Sequence, residues 1–314
     1  MLNLYSEEID LRTIGMNVYY LLRKNLKETL ISQRQDLTYQ SILLRSQMSE
    51  EYRRKYEREI TRLIELGHFT PYPSQDAMSI DVESGYDKSL KLPFVIHNGK
   101  KLYFPHKYTV AQAVEAYRGY ICGDRLLGKG EDIAPHQYQS NDYYVHDGDV
   151  VVDVGCAEAL FSLDLIEQAS KIYLIERNSI WKAPLQSTFA PFKDKVVFVQ
   201  KLASDKDGRT TVSLPSLLRS ETSSPLFIKM DIEGYEPKVV RTLLPLLRER
   251  EGITMSCCTY HNNNDATTLE QLFQQVGCRY EFSKGYMLFA RYDQPTAPYF
   301  RHGVIRASNR MFHS

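Results

Sequence analysis

No stretch of the 314-residue chain approaches about 18 uninterrupted apolar residues, so a helical membrane span is not expected. Cysteine is scarce and poorly spaced for structural work. There are 5, an odd number with no C-x-x-C pair; Cys257 and Cys258 are adjacent, while Cys122, Cys156 and Cys278 are scattered. Neither a disulfide framework nor a structural zinc site is expected, and a reducing compartment is the simpler reading. An excess of one charge is missing too, since Lys+Arg and Asp+Glu are 39 each. With no global field favouring a polyanion, no nucleic acid and no membrane surface are expected as partners. Met1 to Asp10 is acidic and lacks the apolar centre of a signal peptide, so a cytoplasmic location is expected. Internal repeats and low-complexity tracts are also missing. What is present, 43% hydrophobic and 25% charged residues, is the composition of an ordinary globular protein. The length suits one large domain, or a catalytic domain with a smaller appendage.

Residues 1–70 read as helical. Met48, Tyr52, Tyr56, Ile60 and Ile64 recur every four residues as one stripe of an amphipathic helix, with Glu51, Arg53, Arg54 and Glu57 on the other faces. The stripe is expected to pack on a neighbouring part of the chain or on a second copy, giving a homodimer through the N-terminal helices. Pro71, Pro73, Ser74 and Gly85 mark a loop-rich joint. Residues 92–97 and 101–105 flank Asn98-Gly99, a dipeptide that tolerates positive φ at both turn positions, and so read as a hairpin. Thr109 is placed to cap a short helix ending at Arg118, and residues 123–142 are irregular and polar.

From Asp149 the texture changes. Apolar runs at 150–154, 171–175, 196–200, 225–230 and 253–260 alternate with candidate helices at 159–169, 179–189 and 237–250, which argues for a parallel sheet covered by helices. Residues 279–283 and 285–291 read as a closing antiparallel hairpin hinged on Lys284-Gly285. The expected organisation is a helical N-terminal region (1–92), a hairpin and connecting segment (93–148), an α/β domain (149–291) and a C-terminal tail (292–314). In the tail, Tyr299, Phe300, Arg301 and Arg306 could close over a sugar or an acidic group, but packing the terminus down is the expected role.

Two stretches carry chemistry. In Val151-Val152-Asp153-Val154-Gly155-Cys156-Ala157-Glu158-Ala159, an apolar strand ends near Asp153 and Gly155 permits a tight turn into a helix, where backbone amides can meet a polar ligand. Glu176, twenty-one residues after Gly155, closes the next strand, and an acid there can accept both hydroxyls of a ribose. Arg177 follows it. A glycine turn without a ligand is the bland alternative; the acid at this offset argues against it. A nicotinamide dinucleotide is disfavoured, because the G-x-G-x-x-G pattern is missing and Glu158 would set a carboxylate near a pyrophosphate. A cationic cofactor without phosphate suits the acid-rich turn better. Ser204 and Asp205 end a later strand where an adenine edge could bond, although Asp205-Lys206-Asp207-Gly208 also reads as a plain turn.

The second stretch is Phe227-Ile228-Lys229-Met230-Asp231-Ile232-Glu233-Gly234-Tyr235-Glu236-Pro237. Asp231 stands at a strand tip, Glu233 follows, Gly234 turns the chain and Pro237 opens a helix. Two carboxylates at a strand's carboxyl end require a cation, a metal or hydrogen-bond donors. His261, after the next strand, stands where a base could take a proton from a substrate hydroxyl. Asp231, Glu233 and His261 are therefore the candidate catalytic residues.

The order V-V-D-V-G, strand-end Glu176, Leu202 to Gly208, and Ile228-Lys229-Met230-Asp231-Ile232-Glu233-Gly234-Tyr235-Glu236 resembles the FkbM family of methyltransferases over residues 140–291. His261 matches a histidine common after that family's fifth strand. The resemblance implies a Rossmann-like class I methyltransferase fold, a mostly parallel seven-stranded sheet with an antiparallel C-terminal hairpin, here beside a helical N-terminal region. It further implies S-adenosylmethionine as methyl donor and O-methylation of a sugar, polysaccharide or natural-product hydroxyl. Cofactor contacts are then expected from Asp153, Gly155, Cys156, Ala157, Glu176, Arg177, Ser204, Asp205 and Asp231. No metal is expected, a divalent ion on Asp231 and Glu233 being a secondary option. Where the family usually shows G-A-N-x-G, this chain has Gly155-Cys156-Ala157-Glu158-Ala159. A catalytically degenerate binding or assembly module is the competing non-enzymatic reading.

Overall fold

The structure is a computed structural model that describes residues 33, 36–73, 80–129, 133–289 and 297–310. The helical reading of residues 1–32 lies outside these, as do Ser74, Tyr292 and Ser314. The chain forms two compact units, residues 1–70 with 290–299, and residues 71–289 with 300–314.

In the first unit residues 36–46 are helical, followed by helices Glu50–Lys55 and Glu57–Leu66. Ser49 starts the second of these by accepting a hydrogen bond from the Tyr52 amide at 3.2 Å. The expected single stripe is only half right. Tyr56 and Ile60 are buried with Ile42 and Leu63, but Met48 is 81% exposed and Ile64 55%. A four-residue spacing drifts about 40° per step on a helix of 3.6 residues per turn, so five such positions sweep too wide an arc for one face. The helix also breaks at Tyr56 (φ −118°). Tyr299 is buried and its hydroxyl accepts from Arg45 at 2.6 Å, the packing role expected for it.

The second unit opens with a three-stranded antiparallel sheet, β1 (Ser84–Asp87), β2 (Leu92–His97) and β3 (Lys100–Tyr103). β1 lies within the residues expected to be helical, which corrects that boundary. The Asn98-Gly99 turn forms as expected, with φ +48° and +76°. Helix Val110–Arg118 follows, held by a reciprocal capping box between Thr109 and Gln112.

The main sheet holds β4 (Val150–Val154), β5 (Lys171–Ile175), β6 (Val196–Val199), β9 (Leu226–Met230), β10 (Ile253–Cys258), β11 (Arg279–Phe282) and β14 (Val304–Ser308). Between them lie a small parallel pair, β7 (Leu202–Ser204) with β8 (Thr211–Ser213), and an antiparallel pair, β12 (Met287–Leu288) with β13 (Phe300–Arg301). The seven strands run in the order β6-β5-β4-β9-β10-β14-β11, and β14 alone runs against the direction of the other six. This is the Rossmann-like, mostly parallel seven-stranded sheet with an antiparallel closing pair. Its central strands are buried on both faces, which is why they read as continuous apolar runs. Leu160, Phe161, Trp181 and Leu185 pack on one face, and Val239, Leu243, Leu269 and Phe273 on the other.

The closing pair differs from the expected hairpin. Gly285 does turn the chain (φ +85°), but β11 pairs with β14, while β12 pairs with β13. The presumed tail therefore supplies a strand inside the sheet. The strand lacks the pattern of a core strand because it carries Arg306, buried at 4% exposure. Its guanidinium is satisfied by Glu281 at 2.9 Å and by the carbonyls of Gln137 and Tyr138. The helix after β4 is also shorter than the 159–169 expected, spanning Leu160–Asp164.

Thr109→Ala removes the hydroxyl that accepts from the Gln112 amide, while the bond from the residue-109 amide to the Gln112 side chain stays. It should lower stability by about 1 kcal/mol, read as a shifted midpoint in urea denaturation with an unchanged slope.

Candidate functional site

Along this sheet the chain starts at β4, builds outward through β5 and β6, then returns beside β4 as β9. Ligands of such sheets bind beyond the carboxyl ends of the strands at that switch point. A cleft of about 480 Å3 opens there, walled by Gly155, Ala157, Glu176, Asp231, Glu233 and Tyr260, with Trp181, Leu202, Ala203 and Tyr235 contributing apolar surface. Its size falls within the range of small-molecule sites.

Gly155 is demanded by geometry. Its φ is +74°, and a Cβ there would stand 1.9 Å from the Asp231 carbonyl oxygen. The two motifs read from the sequence thus touch backbone to backbone. Lys229 joins them as well: its ammonium donates to the Gly155 carbonyl at 2.8 Å and pairs with Asp153 at 3.0 Å. Burial alone would lower the Lys229 pKa, but Asp153 and Asp231 hold it above the ordinary lysine value.

Of the expected cofactor contacts, Gly155, Ala157, Glu176, Arg177 and Asp231 line the cleft. Glu176 accepts from the Ala157 amide at 3.1 Å and from the Asn178 amide at 2.6 Å, which fixes its carboxylate while lone pairs remain on both oxygens. The other four expected contacts are not among the lining residues. Asp153 is fully buried, tied to Lys229 and to the Ser162 hydroxyl at 2.7 Å. Cys156 is buried in the core. Ser204 is buried and donates to Asp205, whose carboxylate is drawn to Lys238 at 3.1 Å. Leu202 and Ala203 take the position expected of Ser204 and Asp205. Glu158, in the turn after Gly155, points inward at 6% exposure.

Asp231 sits at the tip of β9 with both oxygens engaged. Oδ1 stands 3.4 Å from His261 Nε2 and 3.3 Å from the Tyr260 hydroxyl; Oδ2 stands 3.5 Å from His136 Nε2 and 3.2 Å from the Tyr138 hydroxyl. Burial would raise its pKa, but the His136 hydrogen bond and the charges of Lys229, His136 and His261 hold the carboxyl far below the usual range.

His261 lies beside Asp231 as expected, yet it is 4% exposed and Tyr260 reaches the cleft in its place. Its Nδ1 is 3.1 Å from Glu236 Oε1, a fully buried carboxylate that also accepts from the Ile232 amide at 2.7 Å. Burial acts to lower the His261 pKa, and Glu236, Asp231 and Glu233 raise it above the ordinary imidazole value. Glu233 is exposed at the cleft with φ +60°, 3.8 Å from His261 Nε2.

His136, Tyr138 and Tyr260 were not among the candidates, and the first two lie in a segment that reads as irregular. The dense His and Tyr content of residues 136–144 was the only available signal. Donor atoms of His136, Asp231 and Cys258, and of Asp231, Glu236 and His261, lie within 4.8 Å of one another. Both imidazoles, however, have a carboxylate near each ring nitrogen, which is the arrangement of charge pairs.

No protein-family model matches the chain, and no curated protein matches it. Solved structures do. One is precorrin-6y C5,15-methyltransferase from Geobacter metallireducens, at 15% identity over 52% of this chain and 81% of that one, with a TM-score of 0.36. A second, from Streptococcus pneumoniae, is assigned as a tRNA (m1A22) methyltransferase and was solved in complex with S-adenosyl-L-methionine; it shows 16% identity over 55% and 71% of the two chains, TM-score 0.35. The tRNA m1G37 methyltransferase of M. jannaschii shows 14% identity over 71% and 58%, TM-score 0.38. The fold assignment rests on this chain's own strand order.

Two outcomes follow. Gly155→Ala forces the turn away from Asp231 and should destabilise by about 3 kcal/mol, measurable by urea denaturation. Burial raises the Glu158 pKa from 4.5 to about 7, so the neutral carboxyl is the form the fold favours. That contribution is complete below pH 4.5 and is lost as pH rises to about 7, by about 3 kcal/mol in total. Glu158→Gln should remove this loss, giving a variant that gains on the wild type between pH 5 and pH 8.

Proposed function

We propose that the protein is an S-adenosylmethionine-dependent methyltransferase of the FkbM type, acting on an oxygen of a sugar, polysaccharide or natural-product hydroxyl. The observation that supports this reading best is the pairing of carboxylates across one cleft. Glu176, at the end of β5, is fixed by two backbone amides, and Asp231, at the end of β9, is an anion anchored on both oxygens. Trp181, Leu202 and Ala203 offer apolar surface to an adenine, Glu176 offers acceptors to ribose hydroxyls, and Asp231 offers charge to a cationic group. The residues present fit the donor in sign, since Glu176, Asp231 and Glu233 line the cleft against Arg177 and Lys201.

When bound, the donor supplies an electrophilic methyl group on a sulfonium. The chain's own part is alignment and exclusion of water, because methyl transfer is an in-line displacement that gains chiefly from holding the nucleophile in place. Tyr235 and Tyr260 both line the cleft and offer it aromatic surface. Asp231 orients and balances charge, His261 and Glu236 hold Asp231, and Glu233 faces the acceptor at the mouth. Arg177, exposed on the cleft wall, adds a hydrogen-bond donor.

Calorimetry with S-adenosylmethionine should detect one site per chain. Glu176→Ala should weaken it by about tenfold or more, the order expected for losing hydrogen bonds to a charged group. Wild-type protein that binds no donor would refute the reading. Donor binding without transfer to any hydroxylated acceptor in a labelled-methyl screen would favour the binding-module alternative.

A further inference from the structure

The segment carrying His136 is fastened to the far end of the main sheet. The Pro135 carbonyl accepts from Ser283 at 2.6 Å, and the Tyr138 carbonyl accepts from Ser256 at 2.8 Å and from Arg306 Nε at 3.2 Å. Gly303 lies so close beneath it that a Cβ would stand 1.8 Å from the Pro135 oxygen. The backbone on both sides of His136 is thereby set by β10, by β14, by Gly303 just before β14 and by Ser283 just after β11.

The ring itself is 5% exposed and enclosed by titratable groups. Nδ1 faces the Tyr72 hydroxyl at 3.1 Å and Asp124 at 3.6 Å. Nε2 faces Tyr138 at 3.2 Å, Tyr260 at 3.4 Å, Cys258 at 3.5 Å and Asp231 Oδ2 at 3.5 Å. Lys229 lies beyond, over the Tyr138 ring. His261 repeats the arrangement on the other oxygen of Asp231, with Glu236 behind it. Asp124, His136, Asp231, His261 and Glu236 form one chain in which carboxylates and imidazoles alternate.

A carboxylate's terminal torsion is broad when nothing holds it. One imidazole and one tyrosine hydroxyl on each oxygen remove that freedom. We propose that His136 is a positioning residue, which with His261 clamps Asp231 as a fixed anion for the cationic donor instead of leaving it as a proton acceptor. The donor half of this statement rests on the function proposed above; the clamp rests on the geometry. The imidazole environment agrees: burial opposes protonation of His136, but Asp124 and Asp231 outweigh it and raise its pKa to about 9.

The test uses the full chain labelled with 15N-histidine. His136 should remain doubly protonated at pH 8, and Asp231→Asn should move its titration down by about one pH unit or more, the scale of one close opposite charge. Asp124→Asn should move it the same way, and stands in if the Asp231 variant does not fold. A titration unmoved by loss of either carboxylate overturns the clamp. Calorimetry then addresses its consequence: His136→Gln, folded within a few degrees of the wild-type midpoint, should bind S-adenosylmethionine about tenfold more weakly. Unchanged affinity in that variant overturns the role toward the donor. If the wild type binds no donor at all, the proposed function fails while the histidine titration still decides the clamp.

Discussion

The site depends on a lysine where a lysine is expensive to keep. Lys229 is buried in a central strand, and an unpaired ammonium there would be strongly unfavourable. Asp153 on the adjacent strand compensates it, and the remaining donor capacity reaches the Gly155 carbonyl. That pair sets the level of β4 against β9 and holds the glycine turn against Asp231. Such pairs often add little net stability over apolar packing, yet removing one partner leaves a buried charge exposed to nothing. The pair is better understood as a register device that fixes where two loops meet.

From that fixed point the electrostatics build outward. Asp231 follows Lys229 by two residues, so it emerges at the sheet edge with a cation at its back. Two imidazoles and two tyrosine hydroxyls complete its surroundings, each imidazole backed by another carboxylate. An anion so surrounded is a weak proton acceptor, because burial, which would raise its pKa, is outweighed by His136, Lys229 and His261. It is a good fixed charge. On the function proposed above, such a site favours recognition and alignment of a cation.

The sequence discloses the sheet and the two touching motifs, because both depend on local pattern. Apolar runs declare the buried parallel strands, and Gly155, Asp231 and Gly234 punctuate their ends. Asn98-Gly99 and Thr109 declare their turn and cap for the same reason. What the sequence conceals is long-range. β14 carries a buried arginine whose partners lie about 170 and 25 residues away, so its pattern does not read as a core strand. Asp153 and Ser204 look like ligand contacts by position along their strands, but the side-chain face on which each falls is decided by neighbours such as Lys229 and Ser162. Glu158 looks exposed because charged residues usually are, and only packing shows it turned inward.

The concealed parts have a common origin. His136 and Tyr138 come from a segment without regular structure, and nothing local specifies their direction. Their placement is imposed by Ser256, Ser283, Gly303 and Arg306, all contributed by the last third of the chain. The segment before the sheet and its last strand in chain order are therefore one structural element, although about 170 residues separate them. A boundary drawn at residue 149 or 292 cuts through that element. The antiparallel strand does more than close the sheet: by gripping the carbonyls of Gln137 and Tyr138 it delivers the second imidazole to Asp231. Sequence change in β14 should then alter the charge environment at the tip of β9 without touching the cleft, and the two motifs legible in the sequence are only part of what shapes that environment.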